Sequence, residues 1–411
     1  MLSPSPLPPP ARASVYVHFP WCLAKCPYCD FVSYAQPRES VDSTGYADAV
    51  LRELEARRDV GRGRVIGSIF FGGGTPSLWE PSELGRVVAA IGEAYDCADD
   101  LEVTVECNPT SLDRARADGL ARAGVNRLSI GTQSLDEKQL KFLGRLHDPS
   151  GALAAIDAAL ASDVPRVSTD LIFGLPEQSP ADASAQAVAL VERESAGRRL
   201  EHLSCYQLTI EPGTQFGALA KRGRLPLADD GIVAEAFLAI DEALGARGFG
   251  HYEISNYAVA GQEARHNLGY WRGEEYVGLG CAAYGMIRLP GNGAVRYRNA
   301  TDPRAYVEAT KRAKQAEPAS PGEGDGVSMS SEPLDGEALL RERIMLGLRL
   351  KAGFDLAAAG KDLGVEPFSA ERTRAIERLV AKGRLLRDGS SHLRIPREAW
   401  IWTDDTAARL F

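Results

Sequence analysis

Six short β-rich runs, each followed by a helical stretch, set the strongest limit on how this 411-residue chain can fold. The runs are residues 15–19, 65–71, 101–107, 126–131, 167–173 and 203–210. Between them lie alanine-rich, charge-dotted segments such as 47–58, 81–95, 111–123 and 150–161. Parallel neighbours need a long crossover connection, and a helix supplies it. Strand–helix alternation therefore predicts a parallel sheet with right-handed crossovers. Ser111 is read as the N-cap of the third helix, and Gly124 as the residue just past its end.

The first run leads into Trp21-Cys22-Leu23-Ala24-Lys25-Cys26-Pro27-Tyr28-Cys29. Three thiolates on one short loop can hold three irons of a four-iron cluster and leave the fourth corner without a protein ligand. A zinc knuckle would bring its ligands as two pairs, and no second Cys/His pair follows at suitable spacing. Residues 1–11 are rich in proline and lack the basic-then-apolar pattern of a secretion signal. They predict a disordered tail over residues 1–13 and a cytoplasmic protein with reduced thiols, which argues against structural disulfides. Cys97, Cys107, Cys205 and Cys281 are scattered and read as buried, inert thiols. The apolar content of 44% is ordinary for a globular chain, and the net charge of −9 argues against a general nucleic-acid binder. No apolar run is long enough to cross a bilayer.

The second run ends in Phe71-Gly72-Gly73-Gly74-Thr75-Pro76-Ser77. A CxxxCxxC loop followed by this GGGTPS stretch resembles the radical S-adenosylmethionine (SAM) superfamily. Within it, the two motifs resemble the branch holding oxygen-independent coproporphyrinogen III oxidase and the heme chaperone HemW. The resemblance runs from about Val15 to the C-terminus. It implies an α/β fold with a partial (β/α)6 TIM-type barrel over residues 14–250, and functional residues at the C-terminal strand ends. It also implies a 4Fe-4S cluster on Cys22, Cys26 and Cys29 whose open iron chelates SAM. Reductive cleavage of SAM is chemistry of the cofactors; the protein supplies position and electrostatics.

The SAM contacts that the resemblance implies are placed one at a time. Gly73, Gly74 and Thr75 let the backbone approach the methionine end closely. Glu106, in Val105-Glu106-Cys107-Asn108-Pro109, suits ribose hydroxyls. Gln133 and Asp170 end the fourth and fifth runs. Arg145 offers a fixed charge to the SAM carboxylate. Tyr16 and His18 precede the cluster loop, and Tyr28 sits inside it, near where adenine should lie. Taken singly, each carboxylate also suits a helix cap or a barrel ion pair.

One position separates the two branches. The oxidases carry a fourth cysteine two residues past the third; here that position is Phe31. A phenyl ring is neither ligand nor hydrogen source, and the phenylalanine form matches the chaperone branch. Arg265-His266-Asn267-Leu268-Gly269-Tyr270-Trp271 reproduces the HNxxYW pattern of the chaperones. That implies heme ligation by His266, with Asn267 and Tyr270 beside it and Trp271 adding flat apolar surface. The alternative is a loop in which His266 and Asn267 only bridge backbone groups. Arg265, Arg272, Arg296 and Arg298 lie near enough in sequence to suggest propionate partners. Cys281, in the glycine-rich segment 278–285, is read as a spectator rather than a second heme-side ligand.

The expected organisation continues with a barrel extension carrying HNxxYW over residues 251–315. A Pro-, Gly-, Ser- and acid-rich flexible linker follows at 316–336, then a small C-terminal α+β, winged-helix-like domain at 337–411. In that domain 337–350, 354–363 and 368–382 read as helices, and a hairpin turns at Asp388-Gly389-Ser390-Ser391. Residues 331–411 hold 14 Lys+Arg against 13 Asp+Glu, too even a balance for phosphate binding and better suited to packing or substrate covering. The functional expectation is a heme chaperone that binds a 4Fe-4S cluster, SAM and heme. It would pass heme to an acceptor hemoprotein, such as a respiratory, membrane-associated one. The alternatives are an anaerobic coproporphyrinogen III decarboxylase and a winged-helix regulator with a redox-sensing cluster. No catalytic residue is assigned, and a homodimer is left open.

Overall fold

The structure, a computed structural model, describes residues 11–313 and 326–411. Six parallel strands follow the expected runs: β1 (Ala11–Phe19), β2 (Arg64–Gly73), β3 (Asp96–Cys107), β4 (Arg127–Gln133), β5 (Arg166–Phe173) and β6 (His202–Gln207). Strand period two sends alternate residues to opposite faces. Val15, Val17 and Phe19 are fully buried on the helix-covered face of β1, and Tyr16 and His18 line the lumen. Val103 and Val105 alternate in the same way with Thr104 and Glu106 on β3. The covering helices are α1 (Ser43–Ala56), α2 (Pro81–Ala94), α3 (Arg114–Arg122), α4 (Pro149–Leu160), α5 (Pro180–Glu192) and α6 (Asp230–Gly245).

Helix α3 is capped by Asp113, whose carboxylate accepts from the Arg116 amide, and not by Ser111. Pro109 draws Ser111 into a 3-10 turn, where its hydroxyl bonds the Ser77 hydroxyl at 2.6 Å. Gly124 does follow the helix with φ of 91°, a left-handed conformation that glycine adopts without strain.

The sheet is wider than six strands. It runs β7-β8-β6-β5-β4-β3-β2-β1-β9-β10-β11-β12, where β7 is Gly250–Glu253, β8 Asn256–Ala258, β9 Glu275–Gly280, β10 Tyr284–Arg288, β11 Ala294–Asn299 and β12 Ser328–Leu334. Strand β9 pairs in parallel with β1, so seven consecutive parallel strands form the wall. The edges are antiparallel: β7–β8 beside β6, and the β10–β12 meander beyond β9. Helix α7 (Arg265–Trp271) joins β8 to β9 and packs against β1 and β2.

Two boundaries differ from expectation. Residues 1–10 and 314–325 lie outside the described residues, but Ala11 to Ala13 already belong to β1, and residues 328–334 of the expected linker form β12. Strand β12 is an edge strand exposed along most of its length, so its Ser, Glu and Pro content reports solvent exposure rather than flexibility. It pairs with β11 throughout.

A buried ion pair fastens the meander to the barrel. Arg57, just past the end of α1, meets Glu53 with both side chains fully buried, and also donates to Gly278 O at 2.8 Å and Asn299 Oδ1 at 2.9 Å. Glu53 accepts from the Gly280 amide at 2.7 Å and the Tyr306 hydroxyl at 2.6 Å. Such a pair tolerates burial because most of its remaining donors and acceptors are met.

The C-terminal domain has helices α8 (Gly336–Gly347), α9 (Leu356–Leu363) and α10 (Ala370–Ala381), and a three-stranded wing of β13 (Phe354–Asp355), β14 (Leu386–Asp388) and β15 (His392–Arg394). Its core includes Leu340, Ile344, Leu363 and Leu393, and extends onto Met286 and Ala294 of the meander. Helix α8 packs against α7.

Candidate functional site

The cysteine loop leaves the end of β1. Its base is pinned by a short parallel pairing of Trp21–Cys22 with Tyr34–Ala35. Inside, the Cys29 amide donates to Cys26 O at 3.1 Å, and Lys25 Nζ to Phe31 O at 3.0 Å. All three thiols are free. Burial pushes the Cys22 and Cys29 thiols up, with the Ser33 hydroxyl pulling both back. Arg145 donates Nη1 to Cys26 Sγ at 3.4 Å and Nη2 to Gly131 O at 2.8 Å, so it braces the loop from behind. Tyr28 packs with Phe216 and the small apolar patch of Leu143 and Leu175.

The glycine stretch is stitched to this loop. The Gly74 amide donates to Phe19 O and the Thr75 amide to Trp21 O, each at 2.7 Å. A Cβ on Gly74 would fall 2.4 Å from Trp21 O, and one on Gly73, at φ of 108°, 2.5 Å from the His18 ring. Both glycines are therefore required by the protein's own close approach. The Gly73 amide donates to Glu106 Oε2 at 3.2 Å.

The lumen is a cavity of about 710 Å³. Burial, then the neighbouring Asp170 carboxylate, push Glu106 up to about 8. Burial also raises Asp170, to about 6, against the Ser204 and Ser129 hydroxyls that hydrogen-bond it. His18 Nε2 bonds Val32 O at 2.8 Å; a carbonyl only accepts, so Nε2 carries the proton and Nδ1 accepts from the Tyr16 hydroxyl at 2.9 Å. Burial holds His18 neutral, with its pKa lowered to about 4.

His266 stands on a helix, not in a loop. The amides of Arg265 and His266, at the start of α7, donate to Glu102 Oε1 at 3.0 and 3.3 Å. Glu102 is itself held by Arg127 at 3.0 Å and Arg166 at 3.1 Å. The imidazole packs against Phe70, with centroids 4.7 Å apart, and Tyr270, at 4.9 Å. Its Nδ1 bonds Ser68 Oγ at 3.0 Å, and its Nε2 is buried with no partner. Burial lowers its pKa to about 3, so the ring is neutral. A neutral imidazole fixed at one nitrogen and unpartnered at the other is the form that ligates metal.

The structure thus brings Tyr16, Gly73, Glu106, Asp170, His266, Asn267 and Tyr270 onto one lumen. Gly74, Thr75, Tyr28, Gln133 and Arg145 lie outside its lining. Gln133 instead ends β4 in the left-handed region, with φ of 67°. Trp271 lines an adjoining cavity of about 620 Å³ between barrel and α8, which shares Asn267 and Tyr270 with the lumen and where Arg349 lies 5.4 Å from the indole centroid. Of the four arginines, Arg265 pairs with Asp100, Arg296 pairs with Glu342, Arg272 lies away from the lumen, and Arg298 lines it. Cys281 is buried and bonds Thr301 O, Cys107 and Cys205 are buried, and Cys97 is only half-buried. Sequence reasoning missed Thr104, Ser129, Ser168, Ser204 and Tyr206, which share the lumen. Their signal was the polar member of each apolar–polar alternation.

Among the described residues no three His, Cys, Asp or Glu side chains gather around a single ion. Three thiols spread along one loop suit a polynuclear cluster, where each sulfur meets a different metal. The donor set and the adjoining carboxylate-lined lumen fit a cluster with SAM beside it. Among the described residues no helix is long and apolar enough to cross a membrane.

Comparison with known proteins gives consistent matches. The Radical SAM superfamily profile matches residues 16–185, and the HemN C-terminal domain profile residues 334–402. The chain is 39% identical over 303 residues to a heme chaperone HemW of Escherichia coli, covering 74% of this chain and 76% of that protein. It is 35% identical over 372 residues to a heme chaperone HemW of Mycobacterium tuberculosis, covering 90% and 88%. The solved coproporphyrinogen III oxidase HemN of Escherichia coli superposes with a TM-score of 0.78 at 19% identity, over 98% of this chain and 90% of that one, which establishes a shared fold.

Proposed function

We propose, because this chain belongs to the radical SAM superfamily and within it to the family of the heme chaperone HemW, that it binds a 4Fe-4S cluster, SAM and heme and passes the heme to acceptor hemoproteins. Cys22, Cys26 and Cys29 would hold the cluster, and Glu106 and Asp170 the hydroxyl and amine donors of SAM. A bound cluster with an open iron supplies the electron for SAM cleavage. The chain's own part is to place, orient and desolvate. Arg145 braces the loop at Cys26, the Tyr16–His18–Val32 chain fixes one wall, and Glu102 fixes the start of α7.

The observation that carries the heme reading is the unpartnered Nε2 of His266, on a neutral, buried ring that lines the lumen. A buried nitrogen without a partner is costly unless a ligand meets it. Phe31 in place of a fourth cysteine argues against decarboxylation of coproporphyrinogen III. The C-terminal domain covers α7 rather than reading nucleic acid, and the proposed setting is the cytoplasm.

The test is one anaerobic preparation assayed twice. Hemin titration should show tight binding by the wild type and loss of the axial-ligand spectrum in His266→Ala, with no protoporphyrinogen formed from coproporphyrinogen III. Identical spectra would remove His266 from the reading, and robust turnover would replace chaperone by oxidase.

A further inference from the structure

We propose that Arg298, together with the rings of Tyr284 and Phe31, is a carboxylate anchor on the cluster-side wall of the lumen, and that it takes a propionate of a flat tetrapyrrole. The proposal rests on the heme-handling reading above and names how that ligand is recognised.

All three side chains line the lumen. Tyr284 and Arg298 are cross-strand partners on β10 and β11, with the guanidinium carbon 4.8 Å from the phenol centroid. A guanidinium laid on a ring keeps its edge N–H groups free for a carboxylate. Among the described residues Arg298 has no carboxylate partner, and its Nε is buried with no hydrogen bond. The other lumen arginines are already neutralised: Arg127 by Glu102 and Arg296 by Glu342. Among the described residues the lining holds no other Lys or Arg, and its acidic side chains are Asp30, Glu106 and Asp170. An anionic group entering this cavity therefore finds its counter-charge at Arg298.

The rings supply the second half of the recognition. Phe31 is 54% exposed within the cysteine loop, and Tyr284 is 43% exposed. Two large rings open to solvent beside an unpaired guanidinium form a surface for a ligand that is flat, apolar in its body and anionic at one edge. The buried Arg57–Glu53 network holds the meander that carries Tyr284 and Arg298, so the platform is rigid before a ligand arrives.

SAM also carries a carboxylate, and the test separates the two sources. Cluster-loaded protein is titrated anaerobically with hemin, with hemin dimethyl ester and with SAM. Arg298→Ala should weaken hemin by roughly ten- to hundredfold, the worth of a charge-assisted hydrogen bond. Its affinity for the dimethyl ester and for SAM should not change, and Arg298→Lys should recover part of the loss. Phe31→Ala should weaken hemin and ester alike. Equal hemin affinity in wild type and Arg298→Ala overturns the anchor while leaving the heme reading intact. A loss confined to SAM assigns the carboxylate to SAM and also overturns it. Failure of the wild type to bind hemin at all removes the functional reading and this site together.

Discussion

Replacing Glu106 by Gln should stabilise the ligand-free fold at alkaline pH while weakening SAM binding. Glu106 is pushed from an ordinary 4.5 up to about 8, first by burial and then by Asp170, against a partial pull from the Gly73 amide. The folded value lies above the unfolded one, so the folded state keeps a proton that the unfolded chain releases. The stability this proton represents is fully present below pH 4.5 and is lost as pH rises through about 8. At about 1.4 kcal/mol per unit, the largest loss is about 5 kcal/mol. Relaxation and water entry around a buried carboxylate reduce it, and about 2–3 kcal/mol is expected. Glutamine keeps the shape, can accept from the Gly73 amide and never ionises. The assay is urea unfolding of cluster-loaded, SAM-free protein under anaerobic conditions, at about pH 5 and about pH 8.5. Glu106→Gln should gain about 2–3 kcal/mol over wild type at the higher pH and within about 0.5 kcal/mol at the lower. An equal gain at both values, or a loss at the higher one, refutes the reasoning. At about pH 8.5, where Glu106 is ionised, SAM affinity should fall in the same variant, because a neutral amide is a weaker acceptor for ribose hydroxyls than a carboxylate.

Cys22→Ala, Cys26→Ala and Cys29→Ala should each lose the four-iron spectrum after anaerobic reconstitution; its survival in all three would end the cluster assignment. Arg57→Ala strands Glu53 in the core and should cost about 3–5 kcal/mol in denaturant unfolding, and a cost below about 1 kcal/mol would show that the network is not tightly buried. Gly73→Ala places a Cβ against the His18 ring at a positive φ and should lower thermal stability by several degrees, with an unchanged melt as the contrary result. His266 is held neutral down to about 3, so its ligation signature should stay flat between about pH 5 and 8; a drop centred near the ordinary histidine value of about 6.5 would mean the ring is exposed.

Local pattern carried most of the barrel. Val103-Thr104-Val105-Glu106 states in four residues which side chains enter the core and which the lumen, because the strand period is two. The same alternation marks Ser129, Ser168 and Ser204, whose small hydroxyls carry a weaker sequence signal than charged side chains. Pairing of β1 with β9 was not legible, since no local signal links residues some 260 positions apart. Strand β12 was hidden by edge composition, which mimics that of a linker. Ser111 and Asp113 are both competent caps; Pro109 decided between them by opening a 3-10 turn. The resemblance implies SAM contacts for Gln133, at a strand end, and for Arg145, by its fixed charge; in the structure Arg145 holds Cys26 Sγ and Gly131 O, and Gln133 takes a left-handed backbone. Which of the four arginines faces the lumen without an ion pair depends on carboxylates supplied by distant elements, and Glu342 lies in another domain.

The central place of β1 has a consequence during synthesis. Residues 13–18 cannot gain their partners 275–280 until the far end of the barrel has been translated. At about 5–20 residues per second, roughly 13–50 seconds separate the two. Throughout that interval the nascent chain presents its cysteine loop at the edge of an unfinished sheet, before the wall bearing Tyr284 and Arg298 has closed beside it. On the reading proposed above, the cysteine loop is thus complete before the far wall of the lumen exists.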